Sequence, residues 1–520
     1  MDFSETTSSQ PDIREFVAVV LAGFGNELSP LSSGAGGEPS PKALLPIANQ
    51  PMLDFPLAWL EQSGIKDVIL ICPTAHRQAI SHYIHSSSST SLRIDVHPYE
   101  ETEDLSVGTC AILRHFTHLI QQDFVILPCD FVPPPSLPLS SILNKFRTES
   151  ISDGCMSTAC WFAPRRSEQG TIPDEWGQYE FSTPIVYDPV TGTLLHVDTP
   201  DDVDRNGDEI ELRMSLLTRY PRTRLSSNLQ DSHVYVCRRS VLDALAQKPT
   251  FDSIREEFMP WLCKVQYQRA KRERYGSVLT PTTNTLNQNV ALRHSTTGAP
   301  NDLFSLKHHA SLGEKNVAYS APPSPTSDED NKGADASLRV GVVIHNDSSE
   351  YAARANTLHS LLELNRSFLT KAQWTLPTDP KDRALIDPKA QISSDSIVGE
   401  STRVEERTSI KRSVIGKHCM VGKMAKIVGC VLLDHCVIEE GAKLDNCILG
   451  KNTRVGNKAA LSWCITQGGY EVEAGGSYKN EKLEISDWAA GGTSSEGNDG
   501  TSEDDEEEEE GAEESGESED

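Results

Sequence analysis

The chain has 520 residues, 37% of them hydrophobic, and 48 Lys and Arg against 76 Asp and Glu, a net charge of −28. That length predicts two or three domains with a sizeable core. No apolar run approaches the ~20 residues of a membrane helix, no basic, aromatic-interleaved stretch points to nucleic acid, and the polar start MDFSETTSSQPDIREF does not read as a signal peptide.

Residues 1–12 are expected to be a loose arm, with an α/β unit over 13–373. EFVAVVLAGFGNELSP reads as an apolar strand ending in a glycine loop, MLDFPLAWLEQSG as a helix with a Gly stop, and IKDVILICP as a buried strand. QAISHYIH is helical, LRIDVHPY a strand, GTCAILRHFTHLIQQ a helix and DFVILPCDFV a strand. Strands alternating with helices predict a parallel α/β sheet. DSHVYVCRRSVLDALAQ adds a strand and a helix. The pattern then breaks over 266–338, where Ser, Thr, Asn and Pro dominate, and a disordered insertion is expected. Its Ser/Thr-Pro sites are of a kind common in such segments. Order resumes with the strand LRVGVVIHND and the helix ANTLHSLLELNRSFL.

From 384 to 466 a different period takes over. Ile410, Ile427, Leu444 and Leu461 recur every seventeen residues, as do Ile415, Leu432 and Leu449, and Val421, Ile438 and Val455; the last two series begin earlier, at Val398 and Val404. Steps of five or six residues with one inward aliphatic each predict a left-handed parallel β-helix, three short strands per coil. Cys430, Cys447 and Cys464 share the beat, one step after Ser413, and so do Cys419 and Cys436. None of the twelve cysteines has metal-ligand spacing, so these read as small apolar residues stacked at coil corners. Scattered unpaired cysteines also fit a reducing compartment, and the cytosol is expected. Beyond 490 lies a tail whose last eighteen residues hold thirteen acids and no base, which leaves −15 for the rest of the chain. Such a run reads as a solvated, disordered polyanion.

Candidate chemistry sits at the first strand. Gly23 and Gly25 can present backbone N–H groups to phosphates, Lys42 in PKALLPIANQPML supplies charge, and Asp130 closes a strand where α/β sheets bind ligands. A carboxylate there suits Mg²⁺ bridging phosphate oxygens. Taken singly, each residue also fits a turn, a cap or a surface position.

Together these motifs, over residues 16–135, resemble the nucleotidyltransferase domain of sugar-nucleotide pyrophosphorylases, whose signature runs L-A-G-G-x-G-T-R-L and then P-K-x-L-x-P. The resemblance implies a triphosphate on the glycine loop, a metal on Asp130, a substrate pocket lined by Val107-Gly108-Thr109, and Asp231 as the second metal carboxylate. The chain departs from the signature: its loop reads Leu21-Ala22-Gly23-Phe24-Gly25-Asn26-Glu27-Leu28, one residue short, with no Arg and with Glu27 near the Arg position. Phosphoryl transfer rests on electrostatic stabilisation, so a vestigial pocket without catalytic residues or a required metal or cofactor is expected; residual GTP or sugar-nucleotide binding stays open.

A degenerate domain of this kind followed by a β-helix resembles the gamma-subunit family of translation initiation factor 2B, through PKALLPIANQPMLDFPLAWLEQSGI, NLQDSHVYVCRRSVLDAL, ARANTLHSLLELNR and TSIKRSVIGKHCMVG. The passage from β-helix straight into an acidic tail differs from the epsilon paralogue, which carries a further helical domain. The resemblance implies a non-catalytic role in a guanine-nucleotide exchange factor, with epsilon, alpha, beta and delta subunits and initiation factor 2 as partners. The alternative is an active pyrophosphorylase of the mannose-1-phosphate guanylyltransferase type, or its regulatory subunit.

Overall fold

A computed structural model describes residues 15–33, 40–86, 90–100, 107–164, 176, 183–199, 209–210, 212–280, 338–347, 350, 352–371 and 376–484. The arm 1–12, residues 281–337 of the expected insertion and the tail 490–520 lie outside the described residues.

Ten strands form one sheet: β1 (Phe16–Leu21), β2 (Asp67–Pro73), β3 (Arg93–Tyr99), β4 (Asp123–Pro128), β5 (Cys155–Phe162), β6 (Ile185–Asp188), β7 (Thr193–Val197), β8 (Arg224–Ser226), β9 (Gln230–Cys237) and β10 (Arg339–His345). Their order is β8-β6-β7-β10-β5-β9-β4-β1-β2-β3. The expectation of a parallel sheet needs correction. β4, β1, β2 and β3 are parallel, but β9 runs antiparallel to both β4 and β5, and β6 runs antiparallel to both of its neighbours, β7 and β8.

Along β1, alternate side chains enter opposite layers. Val17 and Val19 join a core with the helices Thr109–His115, Ser240–Ala246 and Met259–Tyr267, whereas Phe16, Ala18 and Val20 join one with Asp54–Ser63 and Leu139–Ser152. Burial on both faces is why β1 reads as an unbroken apolar run. Helix Asp54–Ser63 stops at Gly64, whose φ of 83° is the left-handed cap that glycine adopts without strain.

The expected insertion begins too early. Residues 269–279 form a helix in which Tyr275 and Leu279, four apart on one face, are buried, and the Tyr275 ring meets Trp261 edge-on at 5.0 Å. Five charged residues among the first six of RAKRERYGSVL hide this apolar stripe.

Beyond the sheet comes a parallel β-helix of three stacked sheets, in exact seventeen-residue register: Ile410 pairs with Ile427, Leu444 and Leu461 in turn, Val398 with Ile415, Leu432 and Leu449, and Val404 with Val421, Ile438 and Val455. All of these side chains are buried in one cluster. The coils continue past the expected end at 466, to Lys482–Leu483. Thr466 takes the inward place after Leu449 and bonds Thr453 at 3.0 Å, which interrupts that aliphatic series before it resumes at Leu483.

Each coil turns three corners, and many corner residues have positive φ without being glycine, among them Arg412, His418, His435 and Asn446. Such backbone is uncommon for side-chain-bearing residues, and coil-to-coil hydrogen bonding offsets it. Behind the corners run polar and thiol ladders: Cys430 N–H donates to Ser413 Oγ at 3.2 Å and Cys447 N–H to Cys430 Sγ at 3.4 Å, while Cys419 N–H donates to Thr402 Oγ1 at 3.3 Å.

One outer face of the β-helix is apolar. Val414, Val431, Ile448 and Ile465 point outward yet are buried, in a cluster with Leu358, Leu361, Leu362, Leu364 and Leu369 of helix Leu358–Lys371, and with Leu28, Leu45 and Ile47. Arg366 donates to Asn446 Oδ1 at 2.9 Å and lies over the Trp463 ring, and Asn49 Nδ2 donates to the Ile415 carbonyl at 2.8 Å. This docking helix therefore joins the α/β sheet to the β-helix.

Two adjacent substitutions should separate these roles. Leu432→Asp puts an unpaired charge inside a coil, a very costly burial, and should abolish protection of the β-helix amides in hydrogen exchange. Val431→Asp should leave the coils protected and expose the docking helix. Equal protection patterns in the two variants would contradict the register.

Candidate functional site

The carboxyl ends of β1 and β4 border a cavity of about 190 Å³. Leu21, Gly23, Lys42, Thr109, Asp130, His233, Tyr235, Arg255 and Arg354 are among the residues around it. Gly23, Lys42, Thr109 and Asp130 thus meet there. Asp231 stands just behind, bonded to the lining Tyr235.

Asp130 is completely buried and bound by two cations. Lys42 Nζ donates to Oδ2 at 2.5 Å; Arg354 grips both oxygens, Nε to Oδ1 at 3.1 Å and Nη2 to Oδ2 at 3.0 Å. Burial alone would push this carboxyl up, but Arg354 and Lys42 hold it far below the usual range. Lys42 also donates to Asn356 Oδ1 at 2.6 Å. Arg354 arrives on the short strand Ala353–Arg354, which pairs with Phe131–Val132 directly after Asp130.

Asp231 is held otherwise. Its Oδ1 accepts the His233 N–H at 2.9 Å, and its Oδ2 accepts the Tyr235 hydroxyl. Burial raises its carboxyl to about 6 despite these bonds. His233, at φ 57°, accepts from Arg354 Nη1 through Nε2 at 3.0 Å; burial and that guanidinium keep its imidazole neutral, well below its ordinary value.

The glycine loop differs from expectation in one respect. Glu27 is exposed and does not line the cavity, because Phe24 anchors the loop edge-on against His76 at 4.8 Å and the chain turns away through Asn26–Leu28. Gly25 has φ 81°, and a Cβ there would stand 2.8 Å from Lys42 Cδ, so this glycine makes room for the lysine stem. Gly108 lies outside the cavity: a Cβ would collide with Asp252 at 1.8 Å, and Thr109 Oγ1 accepts the Ile254 N–H at 2.9 Å. That pair fastens the segment to 252–254 while Thr109 lines the pocket.

Arg354, Asn356, His233, Tyr235 and Arg255 were not singled out by the sequence. The one available signal is a charged and a polar residue two apart, Arg354 and Asn356, immediately before an amphipathic helix. Among the described residues no group of three His, Cys, Asp or Glu is placed to hold a metal ion, and no helix is long and apolar enough to cross a membrane.

Comparison with known proteins places the chain. The translation initiation factor eIF2B subunit gamma of Schizosaccharomyces pombe is 31% identical over 398 residues, 76% of this chain and 74% of that one. The chain belongs to the eIF2B gamma-subunit family. The subunit gamma of Dictyostelium discoideum is 24% identical over 425 residues, 77% of this chain and 87% of its own. The subunit epsilon of the same organism is 24% identical over 244 residues, 46% of this chain and 32% of that protein. The nucleotidyl transferase family matches residues 17–166, and the EIF2B subunit epsilon LbH domain matches 381–475, which makes the coils a left-handed β-helix.

A raised carboxyl sets a pH test. A group whose folded value of about 6 exceeds the ordinary ~4 favours the fold while protonated and loses that contribution as pH rises through this window. Asp231→Asn should therefore gain about 2 kcal/mol of stability relative to wild type between pH 4 and pH 7, read from denaturant midpoints. A constant difference across that range would contradict the raised value.

Proposed function

We propose that the chain is a non-catalytic subunit of the eIF2B guanine-nucleotide exchange complex, pairing with the epsilon subunit and supporting GDP release from initiation factor 2. The observation that carries this reading is the 31% identity with a subunit gamma over 74% of that protein. Epsilon proteins among the relatives are in keeping with two paralogous chains in one assembly. Alpha, beta and delta subunits complete the proposed complex, in the cytosol.

The role is one of linkage. A complex that binds the nucleotide-free form of factor 2 more tightly weakens GDP by the same factor. This chain then contributes surface and geometry, and none of its side chains transfers a proton or a phosphoryl group.

Several features support an absence of nucleotidyl transfer. The arginine of the family signature is missing, and Asp130 is already neutralised by Lys42 and Arg354. At about 190 Å³ the cavity is below the ~300–1,000 Å³ usual for ligand pockets. We assign no required cofactor, and vestigial status to Gly23, Gly25, Lys42, Gly108, Thr109, Asp130 and Asp231. Lys42 and Asp130 are what an active pyrophosphorylase or its regulatory subunit would share, but here they are bound to each other, and the relatives named gamma and epsilon favour the exchange-factor reading.

Affinity purification of the tagged chain from its native cytosol, with native mass and partner identification, tests the assignment. A larger paralogue and factor 2 subunits should co-purify; a homo-oligomer alone would count against it. The same preparation should release no pyrophosphate from GTP and mannose-1-phosphate with Mg²⁺. Release that disappears in Asp130→Asn would mean the pocket is an enzyme's.

A further inference from the structure

A nucleotidyltransferase site uses divalent metal to bridge carboxylate and phosphate oxygens, and the residues here do not fit one. Both Asp130 oxygens already accept from a guanidinium, and Oδ2 from an ammonium as well. Both Asp231 oxygens accept from His233 N–H and the Tyr235 hydroxyl. A metal at Asp130 would have to displace a fixed positive charge or sit against it.

We propose that Arg354 is the resident cation of this pocket, standing where the fold otherwise takes a divalent metal ion and turning Asp130 into an anchor for the docking helix. Arg354 lies far outside residues 17–166, where the nucleotidyl transferase family matches. The strand that carries it brings three successive fastenings to the pocket. Arg354 grips the Asp130 carboxylate, Ala355 N–H donates to the Asp130 carbonyl at 2.9 Å, and Asn356 accepts from Lys42. The next residue, Thr357, caps the helix: its Oγ1 accepts the Ser360 N–H at 3.1 Å, and Ser360 Oγ accepts the Thr357 N–H at 3.0 Å. Leu358 then begins the helix that lies on Val414, Val431 and Ile448.

Metal binding and helix docking therefore compete for one carboxylate. Arg354 is a positioning residue: it touches no reacting atoms and acts by fixing where the docking helix starts. A guanidinium fork suits this better than an ammonium, because it holds both carboxylate oxygens in one plane. His233 completes the arrangement by accepting the outer N–H.

The test uses the full chain and Mn²⁺, followed by electron paramagnetic resonance, with hydrogen exchange read over 358–371. Wild type should take up no Mn²⁺ at the pocket. Arg354→Ala should bind Mn²⁺ in a manner lost in the Arg354→Ala/Asp130→Asn double variant, and its docking-helix amides should exchange about tenfold faster or more. Arg354→Lys should keep part of the protection and still exclude Mn²⁺. Uptake by wild type that Asp130→Asn abolishes would overturn the proposal, as would unchanged exchange over 358–371 in Arg354→Ala. If Arg354→Ala fails to fold, the wild-type and Asp130→Asn titrations decide alone. Co-purification with other subunits is read separately, so either proposal can fail without the other.

Discussion

A buried carboxylate has to be neutralised, and in this protein Asp130 draws its two counter-charges from opposite ends of the α/β unit. Lys42 comes from the segment after β1, and Arg354 from the segment after β10. Removing one member of a buried ion cluster strands the others and typically costs ~3–5 kcal/mol. Asp130 therefore fastens the path of the chain just before the docking helix to the carboxyl edge of the sheet.

That path explains the division of labour on the β-helix. The coils are indifferent to what surrounds them as long as one aliphatic per step fills the interior. Which outer face is covered is set by the residue just before each inward one. On the docked face these are Val414, Val431, Ile448 and Ile465; on another they are Ser409, Lys426, Lys443 and Ala460, and on the third Arg403, Met420, Val437 and Arg454. Only the first face is uniformly β-branched and apolar, and it alone meets the leucines of the helix.

Much of this was legible in the sequence because periodicity survives without knowledge of neighbours. The seventeen-residue series named the β-helix core residue by residue, and the paired apolar letters in SVIG, CVLL and CILG already mark the covered face, though only against the other two faces. The pocket was legible as far as chain-local motifs reach: Gly23, Lys42 and Asp130 lie in short signatures. Arg354 was not, since its partner is 224 residues away and nothing local distinguishes a buried arginine from a surface one. The antiparallel half of the sheet escaped for the same reason: strand direction is a long-range property, while alternation of strands and helices is local. The early end assigned to the β-helix has a different cause, a threonine where the inward series leads one to expect an aliphatic.

All twelve cysteines are free and buried, five of them in the β-helix wall. Burial, and after it the Cys430 thiol, hold Cys447 well above its ordinary ionisation range, so its thiolate, the reactive form, is scarce. Buried in the wall, the ladder is out of a reagent's reach while the coils are closed. Alkylation of Cys464, Cys447 and Cys430 becomes a clock for opening, one coil at a time, and the order in which they react reports the end from which the β-helix frays.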